Sequence, residues 1–275
     1  MSPRGFPIKP TLTRLLRAAQ HLDRVPEIIR CRRHTHQWLR LTTAYVGLNG
    51  SLPFEIDFPS GRFEFLERGD VATFWQIFYR GVYPVRSSDR VIVDAGANIG
   101  AFSLYALQNA PQATLIAIEP APDSCKRLRS MLRANGLESR YTLYEAALGE
   151  RQGETTIQLA GVGSQFRRTG VSGQRVAMET LDSVIPPDTV VDLLKIDIEG
   201  AEYGVLNSVS PGTLRRIRRI VLEFHPQAPA KAAIDPLTSN GFKLTRYHDD
   251  GEGYGVAWLE RSEGGGATSG RPTAE

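Results

Sequence analysis

The stretch that decides the fold is VIVDAGANIG, residues 91–100. Its first three residues are apolar and β-branched, which is typical of a strand buried on both faces of a parallel sheet. Glycines and other small residues follow Asp94, and the segment from residue 101 onward has the composition of a helix. Glycine lets the backbone approach a ligand closely, and the free N–H groups of the helix point at the same place. The stretch therefore predicts a strand, a glycine turn and a helix that together start a nucleotide site.

The next apolar segment indicates which nucleotide binds. Residues 113–118, ATLIAI, predict a second strand that ends at Glu119 and Pro120. Glu119 follows Asp94 by 25 residues, close to the ~20 at which a βαβ unit places an acid on the ribose hydroxyls. Asn98 stands where a dinucleotide fingerprint has its middle glycine, and a carboxylate before the turn suits a cationic ligand better than a pyrophosphate. We therefore expect S-adenosylmethionine rather than NAD, with Asn98 and Pro120 among the residues that bind it.

Composition describes an ordinary globular protein. The chain has 275 residues, of which 41% are hydrophobic and 23% charged, enough for one large α/β domain with appendages or two small domains. Two distant cysteines, Cys31 and Cys125, give neither a disulfide framework nor a metal-binding spacing, which favours a reducing compartment. No apolar run reaches the ~18 residues of a membrane span. The expected location is cytoplasmic.

Charge is concentrated near the N-terminus. Residues 1–45 hold nine lysines and arginines against two acids. We expect helices at 11–22 and 27–44 and treat 1–50 as a basic helical arm, 51–262 as the main domain and 263–275 as a disordered tail. The arm is interpreted first as a solvated face packed beside the domain. The alternative is a docking surface for a membrane, an anionic substrate or a partner.

Periodicity assigns the other elements. A β-hairpin is expected at 52–65 and an amphipathic helix at 70–79. A glycine-rich loop, 161–173, is expected to be a lid or a disordered connection, with 163–165 facing the substrate. The remaining strands are expected at 141–145, 154–159, 175–181, 190–197, 219–225, 242–246 and 254–259, and further helices at 123–135 and 228–240. This alternation indicates an α/β fold with a Rossmann-like sheet.

Polar residues stand where several of these strands end. Lys195, Asp197 and Glu199 lie at the end of one strand, and Glu223 and His225 at the end of the next. Buried charges of this kind are costly unless they are paired or functional. Glu145, followed by Ala146, ends the third strand, at the sheet edge where ligands bind. We expect both residues to bind the cofactor, with Glu145 contacting the adenine amino group, although Glu145 is also suited to capping the next turn.

Four stretches together resemble the FkbM-type methyltransferases. They are VIVDAGANIG at 91–100, IEP at 118–120, LLKIDIEGAE at 193–202 and VLEFH at 221–225, and the similarity covers roughly residues 60–260. The resemblance implies S-adenosylmethionine-dependent methylation, in many members on hydroxyls of polyketides, sugars or glycolipids in bacteria. It also implies a class I methyltransferase sheet of seven strands with the last strand reversed. The cofactor-holding positions that it implies are Asp94, Gly96, Gly100 and Glu119.

Methylation of a hydroxyl requires removal of a proton. His225 is expected to be the general base, mostly neutral at pH 7 with a pKa near 6.5, and Asp197 to position the acceptor or the imidazole. The alternative for His225 is a hydrogen bond to the backbone. Asp197 and Glu223 are a second alternative, as ligands of a divalent cation that activates the hydroxyl. The sequence shows no dense set of ligands, so no metal is predicted.

Three other functions were weighed. A nucleic-acid methyltransferase would use the basic arm on phosphates, but residues 195–200 read KIDIEG instead of an amine-methylation motif with two prolines and an aromatic residue. We therefore expect a small-molecule or glycan acceptor and no nucleic acid. Intact Gly96, Gly100, Glu119 and Asp197 argue against an inactive cofactor-binding or assembly protein. A Rossmann dehydrogenase would need the middle glycine.

Overall fold

The structure, a computed structural model, describes residues 24–48, 51–157 and 173–262. In chain order the strands are β1 Phe54–Phe58, β2 Gly61–Phe65, β3 Val91–Ala95, β4 Thr114–Ile118, β5 Tyr141–Tyr144, β6 Ala146–Leu148, β7 Gly153–Ile157, β8 Gln174–Glu179, β9 Leu193–Ile196, β10 Arg219–Phe224, β11 Phe242–Asp249 and β12 Gly255–Arg261. The helices are α1 Val25–His34, α2 Trp38–Tyr45, α3 Arg68–Trp75, α4 Ala101–Asn109, α5 Pro122–Ala134, α6 Leu181–Val184, α7 Glu202–Ser208, α8 Pro211–Arg215 and α9 Ala230–Ser239. A π-helical segment, Gln76–Arg80, continues α3, and a 3-10 turn, Glu138–Arg140, precedes β5.

Seven strands form the main sheet, in the order β11-β12-β10-β9-β3-β4-β5. The pairs among β10, β9, β3, β4 and β5 are parallel, whereas β12 is antiparallel to both of its neighbours. The predicted α/β class, the seven-stranded sheet and the reversed last strand are thus confirmed. The chain adds β4 and β5 on one side of β3 and later returns to place β9 on the other side. The order of the strands therefore reverses between β3 and β9, and ligands of open α/β sheets bind at the carboxyl ends of strands at such a point.

The central strands are buried on both faces. In β3, Ile92 belongs to the apolar cluster on one side of the sheet and Val93 to the cluster on the other. All four residues of β9 are buried as well. A strand with helices on both faces buries side chains in both directions, which explains why these strands are mostly apolar. The exceptions, Asp94 and Lys195, form an ion pair with each other.

The described part of the N-terminal arm packs onto the domain. Cys31 of α1 and Leu41 of α2 are fully buried and lie in the same apolar cluster as the hairpin β1–β2. The carboxylate of Glu27 accepts a 2.5 Å hydrogen bond from the indole of Trp75. Residues 24–48 therefore contribute to the core, in agreement with the interpretation of a face packed beside the domain.

The single helix expected at 27–44 is wrong, since the chain forms two helices. Thr35 between them is extended, with φ −143°, and its hydroxyl donates a 2.6 Å hydrogen bond to the backbone oxygen of Asp57 in β1. This contact to the hairpin competes with the local helical pattern and breaks it. The helix expected at 11–22 and the tail at 263–275 lie outside the described residues.

Two smaller sheets flank the main one. The antiparallel pair β1–β2 confirms the predicted hairpin. Strands β7 and β8, both expected from the sequence, pair antiparallel, and β6 adds a third strand that was not expected. The expected continuation of β8 to Leu181 is wrong, because the hydroxyl of Thr180 accepts the N–H of Ser183 and caps α6. Except for Gly173, the loop expected at 161–173 lies outside the described residues. Among the helices that the structure describes, none is both long and apolar enough to cross a membrane.

Candidate functional site

The turn after β3 is built for close backbone packing. We name residues 96–100 the glycine turn. Gly96 has φ +79°, and a Cβ there would lie 1.7 Å from the backbone oxygen of Asp197, so any other residue is excluded on steric grounds. The N–H groups of Gly96 and Ala97 both donate to the backbone oxygen of Ile118 at 3.0 Å. The glycine turn is therefore fixed between the carboxyl ends of β4 and β9.

Glu119 links the second strand to the glycine turn. One carboxylate oxygen accepts the N–H of Asn98 and the other accepts the N–H of Ala121, both at 2.9 Å. The side chain is 5% exposed. Gly100, with φ +85°, begins α4. The predicted residues Asn98, Gly100 and Glu119 are therefore brought together, while the contact of Glu119 with a ribose stays a prediction.

Asp94 is paired inside the protein. It is fully buried and accepts hydrogen bonds from the hydroxyl of Ser103 at 2.7 Å and from the Nζ of Lys195 at 3.1 Å. Lys195 also donates to the backbone oxygen of Gly96 at 2.9 Å. Burial alone would lower the pKa of Lys195, but the charges of Asp94 and Asp197 outweigh it and raise that pKa. Asp94 thus holds the glycine turn in place through Lys195.

A cavity of about 430 Å³ opens at this edge of the sheet. Four of the predicted site residues line it, namely Gly96, Asn98, Asp197 and His225. Part of its wall comes from Tyr83 and from Asp250, Glu252 and Tyr254, near the β11–β12 turn. Its position at the carboxyl ends of β3, β9 and β10 is the one expected for a ligand site in this kind of sheet.

The strand register brings three ionisable residues together. Lys195 of β9 pairs with Val221 of β10, so Asp197 and Glu223, two residues further along each strand, become neighbours. One ligand atom from each of Asp197, Glu223 and His225 lies within 4.8 Å of the others. We name these three residues the carboxylate–imidazole cluster. All three residues were singled out from the sequence, but their close approach to one another was not predicted.

His225 is held between two further carboxylates. Its Nδ1 lies 3.0 Å from Glu202 and its Nε2 lies 3.4 Å from Glu199. Burial alone would lower the pKa of His225, but the hydrogen bond and charge of Glu202, with Asp197 and Glu199, raise it to about 9. The expectation of a mostly neutral His225 at pH 7 is therefore wrong, because the carboxylates around it stabilise the imidazolium. The expected alternative of a backbone hydrogen bond is replaced by this pair of acids.

The two carboxylates of the cluster hold protons more tightly than usual. Burial and the charge of Asp197 raise the pKa of Glu223 to about 7, although Tyr83 donates a 2.6 Å hydrogen bond to it. Burial also raises the pKa of Asp197, against the opposing charges of Lys195 and His225. Within the cluster, the pKa of Glu223 therefore lies near neutral pH.

Sequence reasoning missed the residues that orient this cluster. Glu202 accepts the N–H groups of Ile198 and Gly200 and so fixes His225 from the start of α7. The only sequence signal for this role of Glu202 was its position in the stretch at 199–202, just after Glu199. Tyr83 precedes the recognisable strands and carries no local motif, so its contact with Glu223, 140 residues away, had no signal in the sequence.

The predicted adenine contacts lie apart from this cavity. Glu145 is exposed and forms an ion pair with Arg129 of α5, and Ala146 is buried in β6. Neither lines the cavity described above. Their contact with the cofactor stays a prediction, as does that of Pro120.

Known proteins show which family has this architecture. The family model of the methyltransferase FkbM domain matches residues 94–244, which is more than half of the chain. The chain belongs to the FkbM methyltransferase family. This confirms the resemblance found in the sequence, and with it methyltransferase activity and S-adenosylmethionine as the cofactor.

Three relatives and one solved structure show which known proteins the chain is similar to. AMB antimetabolite synthetase AmbE of Pseudomonas aeruginosa is 29% identical over 71% of this chain, which spans only 12% of that protein. Methyltransferase sdnD of Sordaria araneosa is 30% identical, with 62% of this chain and 81% of the relative aligned. 31-O-demethyl-FK506 methyltransferase FkbM of Streptomyces tacrolimicus is 30% identical, with 58% of this chain and 75% of the relative aligned. Among solved structures, Aeropyrum pernix fibrillarin with bound S-adenosyl-L-methionine aligns at 14% identity and TM-score 0.42, over 64% of this chain and 68% of that chain.

Proposed function

We propose that this FkbM methyltransferase transfers the methyl group to a hydroxyl of a small molecule, such as a sugar, a glycolipid or a secondary metabolite. Two relatives support oxygen as the acceptor atom. One is the 31-O-demethyl-FK506 methyltransferase, and the other is 2-O-methyltransferase NoeI of Sinorhizobium fredii, 26% identical over 55% of this chain and 72% of the relative. The observation that carries the proposal is the convergence of two carboxylates and one imidazole in a cavity beside the glycine turn.

The cofactor would lie across the glycine turn. Its cationic methionine end would meet Gly96–Gly100, where Asp94 supports the backbone from below. The ribose would hydrogen-bond to Glu119 beside Pro120, and the adenine would contact Glu145 and Ala146. This arrangement would place the sulfonium at the wall of the cavity, since Gly96 and Asn98 line that wall.

The acceptor would then bind against the carboxylate–imidazole cluster. Alignment of the hydroxyl with the methyl group supplies much of the acceleration of such a displacement. The hydroxyl proton would pass to His225 or Asp197, the two residues proposed for this role from the sequence. Because the pKa of His225 is about 9, a rate controlled by neutral His225 would still be rising at pH 8.

The described part of the arm would make a peripheral contact. In α1 and α2, the apolar side chains of Val25, Ile29 and Leu39 are between 47% and 59% exposed, and Arg32 and Arg33 lie in the last turn of α1. A basic surface with exposed apolar residues suits an anionic membrane surface or an acidic partner.

We also propose a cytoplasmic location, which is supported by two buried free cysteines.

The test is methyl transfer from labelled S-adenosylmethionine to a panel of sugars, glycolipids and polyketide alcohols. The expected product carries one methyl ether, identified by mass and fragmentation. Calorimetry with S-adenosylmethionine alone provides the control, because cofactor binding does not depend on finding the acceptor. Label that appears only on nitrogen, carbon or a carboxylate would contradict the proposal.

A further inference from the structure

The carboxylate–imidazole cluster has a mixed set of donor atoms. It offers one nitrogen and two carboxylates from two neighbouring strands, and one atom of each lies within 4.8 Å of the others. Ligands on opposite sides of an octahedral Mg²⁺ lie about 4 Å apart, twice the metal–oxygen distance. The three side chains are therefore already close to the spacing that a single divalent cation needs.

The imidazole is oriented by a partner outside the cluster. Glu202 lies 3.0 Å from Nδ1 of His225 and is itself held by the backbone N–H groups of Ile198 and Gly200. His225 is 6% exposed and lines the cavity. A carboxylate on one ring nitrogen is the usual support for a histidine that binds a metal through the other nitrogen. That other nitrogen, Nε2, lies 3.4 Å from Glu199.

The charges around the cluster favour a cation. Lys195 is the nearest fixed positive charge, and it lies closer to Asp94, at 3.1 Å, than to Asp197, at 3.7 Å. The carboxylates of Asp197, Glu199, Glu202 and Glu223 surround one histidine. Several carboxylates at close range repel each other unless positive charge compensates them, and a cation that replaces the Nε2 proton of His225 would supply that charge.

We infer that Asp197, Glu223 and His225 bind one divalent cation of the Mg²⁺ or Mn²⁺ class. Two of the three donors are carboxylates, which suit these ions. The inference rests on the proposed function, because a cation here would hold the acceptor oxygen beside the glycine turn. In that case His225 contributes through Nε2 as a ligand, and its replacement would slow methyl transfer through loss of the cation.

The experiment is a Mn²⁺ titration of the full chain after treatment with a chelator, followed by electron paramagnetic resonance. We expect one saturable site per chain. Glu223→Gln and Asp197→Asn each remove one ligand and should weaken Mn²⁺ binding at least about tenfold, as even changes in supporting residues do. Glu252→Gln is the matched control, since it removes one charge from the same cavity wall but leaves the cluster intact, and should change the affinity less than about twofold.

Three results would overturn the inference. They are the absence of saturable binding, an equal loss in Glu252→Gln, and displacement of Mn²⁺ by S-adenosylhomocysteine, which would make the cluster part of the methionine subsite. Thermal unfolding of each variant separates lost binding from lost folding. Calorimetry with S-adenosylmethionine keeps the two proposals apart, because a chain that binds the cofactor but no Mn²⁺ refutes only the metal site.

Discussion

The glycine turn and the carboxylate–imidazole cluster are adjacent, yet their charges are balanced in different ways. Next to the turn, Asp94 is paired with Lys195 and Ser103, and both oxygens of Glu119 accept backbone N–H groups. In the cluster the pKa of Glu223 is raised to about 7 and that of His225 to about 9. The turn is thus preorganised by internal partners, whereas the cluster keeps a charge that a proton or a cation must balance. We assign cofactor binding to the first and chemistry to the second.

The largest expected effect comes from breaking the cluster. His225→Ala should lower the rate of methyl transfer about 10²–10⁴-fold, as loss of a general base or a metal ligand does, and change the affinity for S-adenosylmethionine little. The measurement is turnover on the identified acceptor together with calorimetry of the cofactor. His225→Gln, which keeps a polar side chain of similar size, is the control for packing.

The pH profile refines the same prediction. If neutral His225 takes the proton, the rate of the wild type rises with pH up to about 9, and this limb is absent in the variant. Near-normal turnover of His225→Ala would place the base elsewhere, with Asp197 as the next candidate. Sensitivity to a chelator then distinguishes a carboxylate base from a bound cation.

The next largest effect comes from breaking the glycine turn. Gly96→Ala forces a Cβ to within 1.7 Å of the Asp197 backbone oxygen and should lower the free energy of unfolding by about 4 kcal/mol or more. Gly136→Ala is the matched control, because that residue also has a positive φ, +68°, but no atom within 4 Å of the new Cβ. Its cost should be about 1 kcal/mol, measured by urea unfolding. Equal losses in both variants would show that packing against β9 is not what the turn requires.

Glu119→Ala tests the link between the turn and the cofactor. The loss of charged hydrogen bonds to the ribose should weaken binding of S-adenosylmethionine by about 2–4 kcal/mol. Glu119→Gln keeps one oxygen acceptor and should lose less. Unchanged affinity in both variants, measured by calorimetry, would remove Glu119 from the cofactor site.

The smallest effect is the pH dependence of stability. The pKa of His225 is raised in the folded chain, so its contribution to stability is complete below the unfolded pKa of ~6.5 and is lost as pH rises towards about 9. Between neutral pH and that value the wild type should lose about 1–2 kcal/mol more than His225→Gln. Urea unfolding at several pH values measures this difference, and parallel curves for the two proteins would contradict it.

Local patterns predicted the fold well, because most of its elements follow from continuous apolar runs and glycine turns. Strand β3, the glycine turn and α4 were all expected from residues 91–107. The failures came where distant contacts override local preference. The hydroxyl of Thr35 bonds to Asp57 and divides a helix, and Thr180 caps α6 and ends a strand early.

The residues of the site could be predicted from the sequence, but their protonation states could not. His225 and Asp197 were identified because strand ends meet at one edge of a parallel sheet. The pKa of His225 depends on its hydrogen bond to Glu202, 23 residues earlier, which raises it, and on burial away from water, which lowers it. Sequence spacing alone conveys neither of these, because both arise from packing between α7 and β10.

The central claim is that the cofactor on the glycine turn presents its methyl group to the carboxylate–imidazole cluster. The most direct test is a crystal structure of the chain with S-adenosylhomocysteine. We predict the ribose on Glu119 and the sulfur at the wall formed by Gly96 and Asn98, directed towards Asp197, Glu223 and His225. A cofactor bound away from the glycine turn, or a sulfur directed away from the cluster, would contradict the account.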